Sequence, residues 1–176
     1  ILFTGSSSIR FWDSLEEDME PLEVLNRGFG GAQISHVIYH FEEIIKPYDP
    51  KAIVFFCGTN DLTALKTPEE TVHDFQKFLS LIRKEFGNIK VYMIGIKPSV
   101  ERFYLDEEEK IFNNSIKLLA SEDAYLEYID VWDSMLSEDG SRMPELYVED
   151  GLHMNKKGYE VWTKLVRKSL LKDFNI

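Results

Sequence analysis

The sequence has few of the features that mark disulfide-built, nucleic-acid-binding or membrane-spanning proteins. Its single cysteine, Cys57, can form no intrachain disulfide, which excludes a disulfide-built fold. Basic residues are in deficit, because 31 Asp and Glu stand against 20 Lys and Arg and give a net charge of −11. A nucleic-acid partner, whose phosphates require a basic surface, is therefore not expected. No apolar run reaches the length of a membrane span, so we expect no integral membrane segment.

What the sequence does contain is typical of one soluble globular domain over residues 1–176. Hydrophobic residues make up 44% of the chain and charged residues 29%, and a chain of this length can bury a substantial core. The chain begins at Ile1, inside an apolar segment and without an initiator methionine, so we expect residues to precede it in the natural protein. Both a cytoplasmic and an exported location stay open, and the sequence leaves the oligomeric state undecided.

Short apolar segments alternate with longer amphipathic ones along the chain. Five strands are predicted: Ile1–Thr4, Leu22–Asn26, Ala52–Cys57, Val91–Ile96 and Tyr125–Val131. They lack the strict alternation of a half-exposed strand, as expected for parallel strands that are covered on both faces. We therefore predict an α/β fold in the form of a three-layer α/β/α sandwich.

Helix signals lie between the strand candidates. Thr67 and Glu70 form a capping box with Pro68 at the first helical position, and Gly87 is placed to end that helix. Three more helices are predicted: one with the apolar stripe Ile34, Ile38, Phe41 and Ile45, one capped by Asp106 and Glu109, and one that begins near Asn155.

The segment Asp150-Gly151-Leu152-His153, just before the last predicted helix, carries the strongest chemical signal. A carboxylate and an imidazole three positions apart can meet within one tight turn, and Gly151 permits such a turn. The carboxylate then holds the Nδ1–H of the imidazole and leaves Nε2 free to act as a base. This arrangement favours nucleophilic catalysis, provided that a nucleophile lies close by.

A serine cluster, Gly5-Ser6-Ser7-Ser8, follows the first predicted strand and offers that nucleophile. A hydroxyl between a strand and a helix is exposed beside free backbone N–H groups, which can hold a developing oxyanion. The simpler interpretation is a helix cap or an anion-binding loop, since serine favours both positions. The cluster also lacks the closing glycine of a G-x-S-x-G elbow.

Two more loops follow predicted strands and carry weaker signals. Gly58-Thr59-Asn60-Asp61 comes after the third strand, where Asn60 can either form a turn or aim its amide at an oxyanion. Residues 26–31 come after the second strand, and their three glycines allow either an ordinary turn or a backbone N–H that points outward.

A metal site is a further possibility that the sequence disfavours. His36 and His40 are spaced to share one helix face with Glu43 nearby, which is acceptable geometry for a metal ion. The spacing is not H-E-x-x-H, and the face lies opposite the apolar stripe of that helix. We therefore predict no metal and no cofactor.

Taken together, the motifs resemble those of the SGNH hydrolases, also called GDSL-type esterases and lipases. Four segments occur in that family's order across nearly the whole chain: Phe3-Thr4-Gly5-Ser6-Ser7-Ser8, Asn26-Arg27-Gly28-Phe29-Gly30-Gly31, Gly58-Thr59-Asn60-Asp61 and Asp150-Gly151-Leu152-His153. The resemblance implies a flavodoxin-like sheet of five parallel strands in the order 2-1-3-4-5. It also implies an enzyme that hydrolyses a carboxylic ester.

The resemblance implies a role for each matching residue. Ser7 is the implied nucleophile, His153 the base and Asp150 the acid that orients it. The implied oxyanion hole consists of the backbone N–H groups of Ser7 and Gly31 and the side chain of Asn60. Ser6 departs from the family's pattern, which has Asp at this position. The Gly-Ser-Ser-Ser-Ile-Arg version is similar to bacterial lysophospholipase-like and platelet-activating-factor acetylhydrolase-like esterases.

The implied substrate is a small-molecule ester: a short-chain or acetyl ester, a lysophospholipid or an acetylated sugar. Candidate substrate-binding residues near the predicted loops are Arg10, Trp12, Phe29, Phe103, Tyr104 and Met154, although these side chains can equally cover the ends of the sheet. Two alternatives stay open at this point. One is a non-catalytic flavodoxin-like module that holds a phosphate or a flavin at the Ser6–Ser8 loop. The other is a hydrolase-like fold that binds carbohydrate or protein without catalysis.

Overall fold

The computed structural model describes residues 1–174 and contains one parallel sheet of five strands. The strands are β1 (Leu2–Gly5), β2 (Leu25–Gly28), β3 (Ala52–Phe56), β4 (Lys90–Ile94) and β5 (Leu126–Ile129). Their order across the sheet is β2-β1-β3-β4-β5, with every neighbouring pair parallel. The predicted strand order and fold class are confirmed.

Residues 1–174 form eight α-helices, of which seven lie between strands and α8 follows β5. Their bounds are α1 (Ser7–Arg10), α2 (Leu15–Met19), α3 (Ile34–Tyr39), α4 (Phe41–Ile44), α5 (Thr59–Thr63), α6 (Pro68–Phe86), α7 (Asp106–Glu122) and α8 (Lys156–Asp173). None of the helices within residues 1–174 is both long and apolar enough to cross a membrane.

The sheet has a separate apolar core on each face, as the central strand β3 shows. Ala52, Val54 and Phe56 project into a core formed with α1, α2 and α8. Ile53 and Phe55 project into the opposite core, which α3 to α7 cover. Successive side chains of a strand point to opposite faces, so a continuous apolar run is what a strand buried on both faces requires.

Local capping signals correctly predict where the two longest helices, α6 and α8, begin. Thr67 caps α6 through a reciprocal capping box with Glu70, and Gly87 with φ +68 ends the helix. Asn155 caps α8, because its side chain accepts hydrogen bonds from the N–H groups of Lys157 and Gly158.

The structure corrects three predictions about individual elements. β2 begins at Leu25 rather than Leu22, since the Leu22 N–H donates to Met19 and belongs to the turn after α2. The predicted stripe from Ile34 to Ile45 is two short helices, α3 and α4, that meet at His40. Glu109 does not cap α7: it lies inside the helix and is fully buried.

The five strands form one sheet, and the helices cover its two faces. Residues 175 and 176, which the predicted single domain includes, lie outside the described residues. That residues 1–176 form one domain stays a prediction.

Candidate active site

The serine cluster lies where β1 ends at the carboxyl edge of the sheet. Gly5 has φ +130, and a Cβ at this position would come within 1.9 Å of the Phe56 carbonyl oxygen on β3. Glycine is therefore required where the two strands approach each other. The chain turns at Ser6, whose N–H donates to Phe56, and Ser7 becomes the first residue of α1. Ser6 and Ser8 are buried, whereas Ser7 keeps part of its surface exposed.

Ser7, His153 and Asp150 form a continuous chain of hydrogen bonds. His153 Nε2 lies 2.9 Å from Ser7 Oγ, and His153 Nδ1 lies 2.5 Å from Asp150 Oδ2. Burial opposes ionisation of Asp150, but hydrogen bonds from the His153 ring and from the N–H groups of His153 and Leu152 outweigh it and lower the pKa of the carboxyl to about 2. Asp150 is thus a carboxylate at neutral pH, and it accepts a hydrogen bond from Nδ1–H when His153 carries its proton on Nδ1.

The turn that carries Asp150 and His153 is fixed from outside by another loop. Gly151 has φ +65, and its carbonyl oxygen accepts hydrogen bonds from the N–H groups of Val100 and Glu101, at 2.9 and 3.1 Å. A second contact joins the N-terminal and C-terminal parts of the chain: the Tyr159 hydroxyl on α8 donates to the Ser8 carbonyl oxygen at 2.9 Å, and we call this hydrogen bond the Tyr159 tether.

The glycine-rich loop after β2 packs directly against α1. Asn26 donates to the Ile9 carbonyl oxygen at 2.6 Å and accepts from the Gly28 N–H at 3.0 Å. A Cβ on Gly28 would come within 2.6 Å of the Arg10 backbone nitrogen, so only glycine allows this approach. Gly31 follows with φ +68.

Asn60 and Asp61 connect the loop after β3 to the loop that contains Gly31. Asn60 Nδ2 donates to the Ala32 carbonyl oxygen at 3.0 Å. The buried Asp61 carboxylate accepts from the Ile34 N–H through both oxygens, at 3.2 and 3.1 Å, and pairs with Lys66. The sequence analysis missed this anchoring role, because a turn of this composition gives no sign that its carboxylate is buried.

Comparison with known proteins identifies the family of this arrangement. The model of the GDSL-like lipase/acylhydrolase family matches residues 4–161. The chain belongs to this family. It is therefore an ester-hydrolysing enzyme, and the predicted enzyme class is confirmed.

Relatives of this GDSL-like acylhydrolase come from bacteria and mammals. It is 27% identical over 165 residues to an N-acylneuraminate cytidylyltransferase from Escherichia coli, an alignment that covers 92% of this chain but only 38% of that protein. It is 26% identical over 165 residues to human platelet-activating factor acetylhydrolase IB subunit alpha2, with 90% of this chain and 70% of that protein covered. The solved structure of a GDSL-like lipase from Bacteroides thetaiotaomicron has a TM-score of 0.82 at 21% identity and covers 98% of this chain and 88% of that chain, which shows a shared fold.

Two of the candidate substrate-binding residues, Arg10 and Met154, lie within three positions of Ser7 and His153 in the chain, and Phe11 follows Arg10. The ring of Phe11 contacts the ring of His153 edge to face, with centroids 5.2 Å apart. The Arg10 guanidinium lies over the Phe11 ring. Phe11 and the buried Met154 both border a cavity of about 540 Å³ between α2 and α8, but within residues 1–174 neither Ser7 nor His153 lines that cavity.

Other candidates lie elsewhere. The prediction for Trp12 is wrong: it is 1% exposed, packs between Phe3 and Trp162 in the core, and so cannot line an open pocket. Its ring instead fills the space between β1 and α8, just after the end of α1. Phe29 contacts His40 and lines a separate cavity of about 370 Å³.

Phe103 and Tyr104 are 62% and 59% exposed and contact each other after the loop that follows β4. No hydrogen bond or ring contact joins either of them to the hydrogen-bonded chain of Ser7, His153 and Asp150 among residues 1–174.

The histidines considered for a metal site have other partners. His36 Nδ1 accepts from the Gln33 N–H in a capping arrangement at the start of α3. His40 pairs with Glu43 at 3.5 Å. Within the described part of the chain, no group of three or more metal-ligating side chains is arranged to hold an ion.

The loop after β4 contains a buried charge that the sequence analysis did not detect. The Lys97 side chain is buried near the rings of Phe56 and Tyr147, and burial lowers its pKa to about 8. Glu109 on α7 is also buried, both its oxygens lack a hydrogen-bond partner among residues 1–174, and burial raises its pKa to about 8.

Proposed function

We propose that the acylhydrolase is a serine esterase that cleaves a carboxylic ester through an acyl-enzyme on Ser7. The observation that carries the proposal is the hydrogen-bonded chain from Ser7 Oγ through His153 to Asp150, at 2.9 and 2.5 Å. A serine activated by an imidazole that a carboxylate orients is the arrangement that acyl transfer requires.

In the proposed reaction, Ser7 Oγ attacks the carbonyl carbon of the ester while His153 Nε2 takes the hydroxyl proton. Asp150 stays ionised, holds the imidazole by Nδ1–H and stabilises the imidazolium. The bond from the carbonyl carbon to the leaving oxygen then breaks, and His153 returns the proton to the departing alcohol. Water, deprotonated by His153, attacks the acyl-enzyme, releases the carboxylic acid and restores the Ser7 hydroxyl.

The proposed oxyanion hole consists of the Ser7 and Gly31 backbone N–H groups and the Asn60 amide. Asn60 and Gly31 belong to loops that are held together, because the Asn60 amide donates to Ala32, directly after Gly31. The second N–H of the same amide has no protein acceptor among residues 1–174 and is free to donate to an oxyanion. Donors fixed before the reaction lower the barrier most effectively, since they need no reorganisation when charge develops.

Replacement of Ser7 tests the proposal directly. Ser7→Ala should abolish hydrolysis of p-nitrophenyl acetate and labelling by a fluorophosphonate probe. Ser80→Ala is the matched control, because Ser80 is exposed on α6 and, among residues 1–174, its hydroxyl bonds only to the Gln76 carbonyl oxygen of its own helix. Turnover or labelling that survives in Ser7→Ala, with Ser80→Ala unchanged, would contradict the proposal.

The proposed substrate is an ester with a short acyl group. The name of the human relative, an acetylhydrolase, favours an acetyl ester. Phe11, whose exposed ring lies against the ring of His153, supports an apolar contact with the substrate. A panel of p-nitrophenyl esters of increasing length, a lysophospholipid and an acetylated sugar would rank the classes by kcat/KM, and a maximum at long acyl chains would overturn the assignment.

The alternative of a phosphate- or flavin-binding module has little support in the geometry. The hydroxyl groups of Ser6 and Ser8 belong to buried residues, and the hydroxyl of Ser7 is already engaged by His153. The same engagement, together with membership of the acylhydrolase family, speaks against a fold that only binds carbohydrate or protein.

A further inference from the structure

The Asn60 amide is held at both of its polar ends. Its nitrogen donates to the Ala32 carbonyl oxygen at 3.0 Å, and its oxygen accepts from Arg102 Nη1 at 3.0 Å. Arg102 lies 42 positions away along the chain, in the loop after β4. Among residues 1–174, this is the one side-chain hydrogen bond that the Arg102 guanidinium makes, whereas Arg83 and Arg142 pair with carboxylates.

These two contacts allow a single orientation of the Asn60 amide. Rotation by 180° about the last side-chain bond would bring the amide oxygen against the Ala32 carbonyl oxygen and the NH₂ group against the guanidinium. Both new contacts would be repulsive, because each would join two acceptors or two donors. The observed orientation keeps the NH₂ group on the side of the Gly31 loop. A cation on the amide oxygen also polarises the group and makes its N–H a stronger donor.

The loop that carries Arg102 is itself anchored to the turn of the base. The N–H groups of Val100 and Glu101 both donate to the Gly151 carbonyl oxygen, and the Arg102 N–H donates to Ser99 Oγ at 3.3 Å. These bonds hold the backbone of Arg102 in a fixed position relative to Asp150 and His153. Through Arg102, the position of Asn60 is linked to the position of that turn.

We propose that Arg102 is a positioning residue that orients and polarises the Asn60 amide for the oxyanion. It touches neither the ester carbonyl nor Ser7, and it acts through Asn60. The inference rests on the proposed function, in which Asn60 is an oxyanion donor. It assigns to Arg102 a contribution to kcat and not to substrate binding, because an interaction that strengthens only in the transition state leaves KM unchanged.

Kinetics of the Arg102 and Asn60 variants test the inference. Arg102→Met should lower kcat for p-nitrophenyl acetate by about 10- to 50-fold, a fraction of the loss expected when an oxyanion donor is removed outright, and should leave KM within about twofold. Arg102→Lys should recover part of the loss, since an ammonium can still donate to the amide oxygen. Arg167→Met is the matched control, because Arg167 on α8 donates to the backbone carbonyls of Asp18 and Glu20 at the end of α2.

The deciding measurement is the double variant. In an Asn60→Ala background, Arg102→Met should change kcat by less than about twofold, because a residue that acts through Asn60 has nothing left to orient. Independent, multiplicative losses, or a rise in KM at unchanged kcat, would overturn the inference and make Arg102 a substrate-binding residue instead. Thermal melting of each variant shows that folding is intact.

The two proposals fail in different ways. If Ser7→Ala stays active, the proposed function is wrong. If Ser7→Ala is inactive while Arg102→Met keeps full kcat, only the role of Arg102 is wrong.

Discussion

Replacement of Glu109 by Gln should stabilise the protein at slightly alkaline pH. Both carboxylate oxygens of Glu109 are buried without a hydrogen-bond partner among residues 1–174, and burial raises the pKa from 4.5 to about 8. Since the pKa is raised in the folded state, folded protein holds one more proton than unfolded protein between these two values. The contribution of Glu109 is therefore most favourable below pH 4.5 and is lost as the pH rises towards 8.

The size of the effect follows from that interval. At about 1.4 kcal/mol per pH unit, ionisation of the buried carboxyl costs roughly 4 to 5 kcal/mol of unfolding free energy by the upper end of the interval. Lys97 acts in the opposite direction at higher pH: burial lowers its pKa from 10.5 to about 8, so its contribution rises between these values. Gln removes the loss due to Glu109 but also the attraction to Lys97, so we expect a gain of about 3 kcal/mol at pH 8.

Urea unfolding of wild type and Glu109→Gln at pH 5, 6, 7 and 8 measures this difference. The unfolding free energies of the two proteins should match within about 1 kcal/mol at pH 5 and diverge as the pH rises. In thermal melting at pH 8, the variant should have a Tm about 6 to 12 °C higher than wild type. Glu107→Gln is the control, because Glu107 is exposed on the same helix. Parallel curves from pH 5 to 8, or a variant less stable than wild type at pH 8, would refute the reasoning.

Three other predictions concern the loops and the core. Asn60→Ala should lower kcat by about 100- to 1000-fold, and a kcat near that of wild type would exclude Asn60 as an oxyanion donor. Gly28→Ala would place a methyl group 2.6 Å from the Arg10 backbone nitrogen; a drop in Tm of about 5 °C or more, together with reduced esterase activity, is expected, and an unchanged melting curve with full activity would contradict it. Phe78 is buried and stacks on Phe55 with centroids 4.3 Å apart, so Phe78→Ala should cost about 3 to 5 kcal/mol in urea unfolding, and a loss below about 1 kcal/mol would show that the core relaxes around the cavity.

The parts of the fold that depend on local sequence could be predicted well. The capping box at Thr67 and Glu70, the glycine stop at Gly87 and the cap at Asn155 each act within one helical turn, so the nearby residues are sufficient to predict them. The order of the five strands could be predicted because four motifs resembled those of a family with a known sheet. Asp150 and His153 were also predicted from local spacing, since they share one turn.

Other features depend on how distant segments meet, and the sequence does not show them. The contact of Arg102 with Asn60 depends on how two loops meet above the sheet, and no spacing in the sequence shows it. Glu109 has the position of a helix cap by sequence, but α7 starts earlier and turns this carboxylate into the protein interior. Trp12 follows the serine loop and resembles a pocket residue by position alone, whereas its contacts with Phe3 on β1 and Trp162 on α8 place it in the core.

The separation of Ser7 and His153 by 146 positions has a kinetic consequence. Contacts between such distant positions require closure of a long loop, and long-range contacts of this kind slow folding. The strands next to β1 can pair before α8 has docked on the sheet, but the serine has no base until the Tyr159 tether and the Asp150 turn are in place. Recovered esterase activity in a refolding experiment would therefore report the completion of the chain-end contact, and it would lag behind the far-UV signal of the helices.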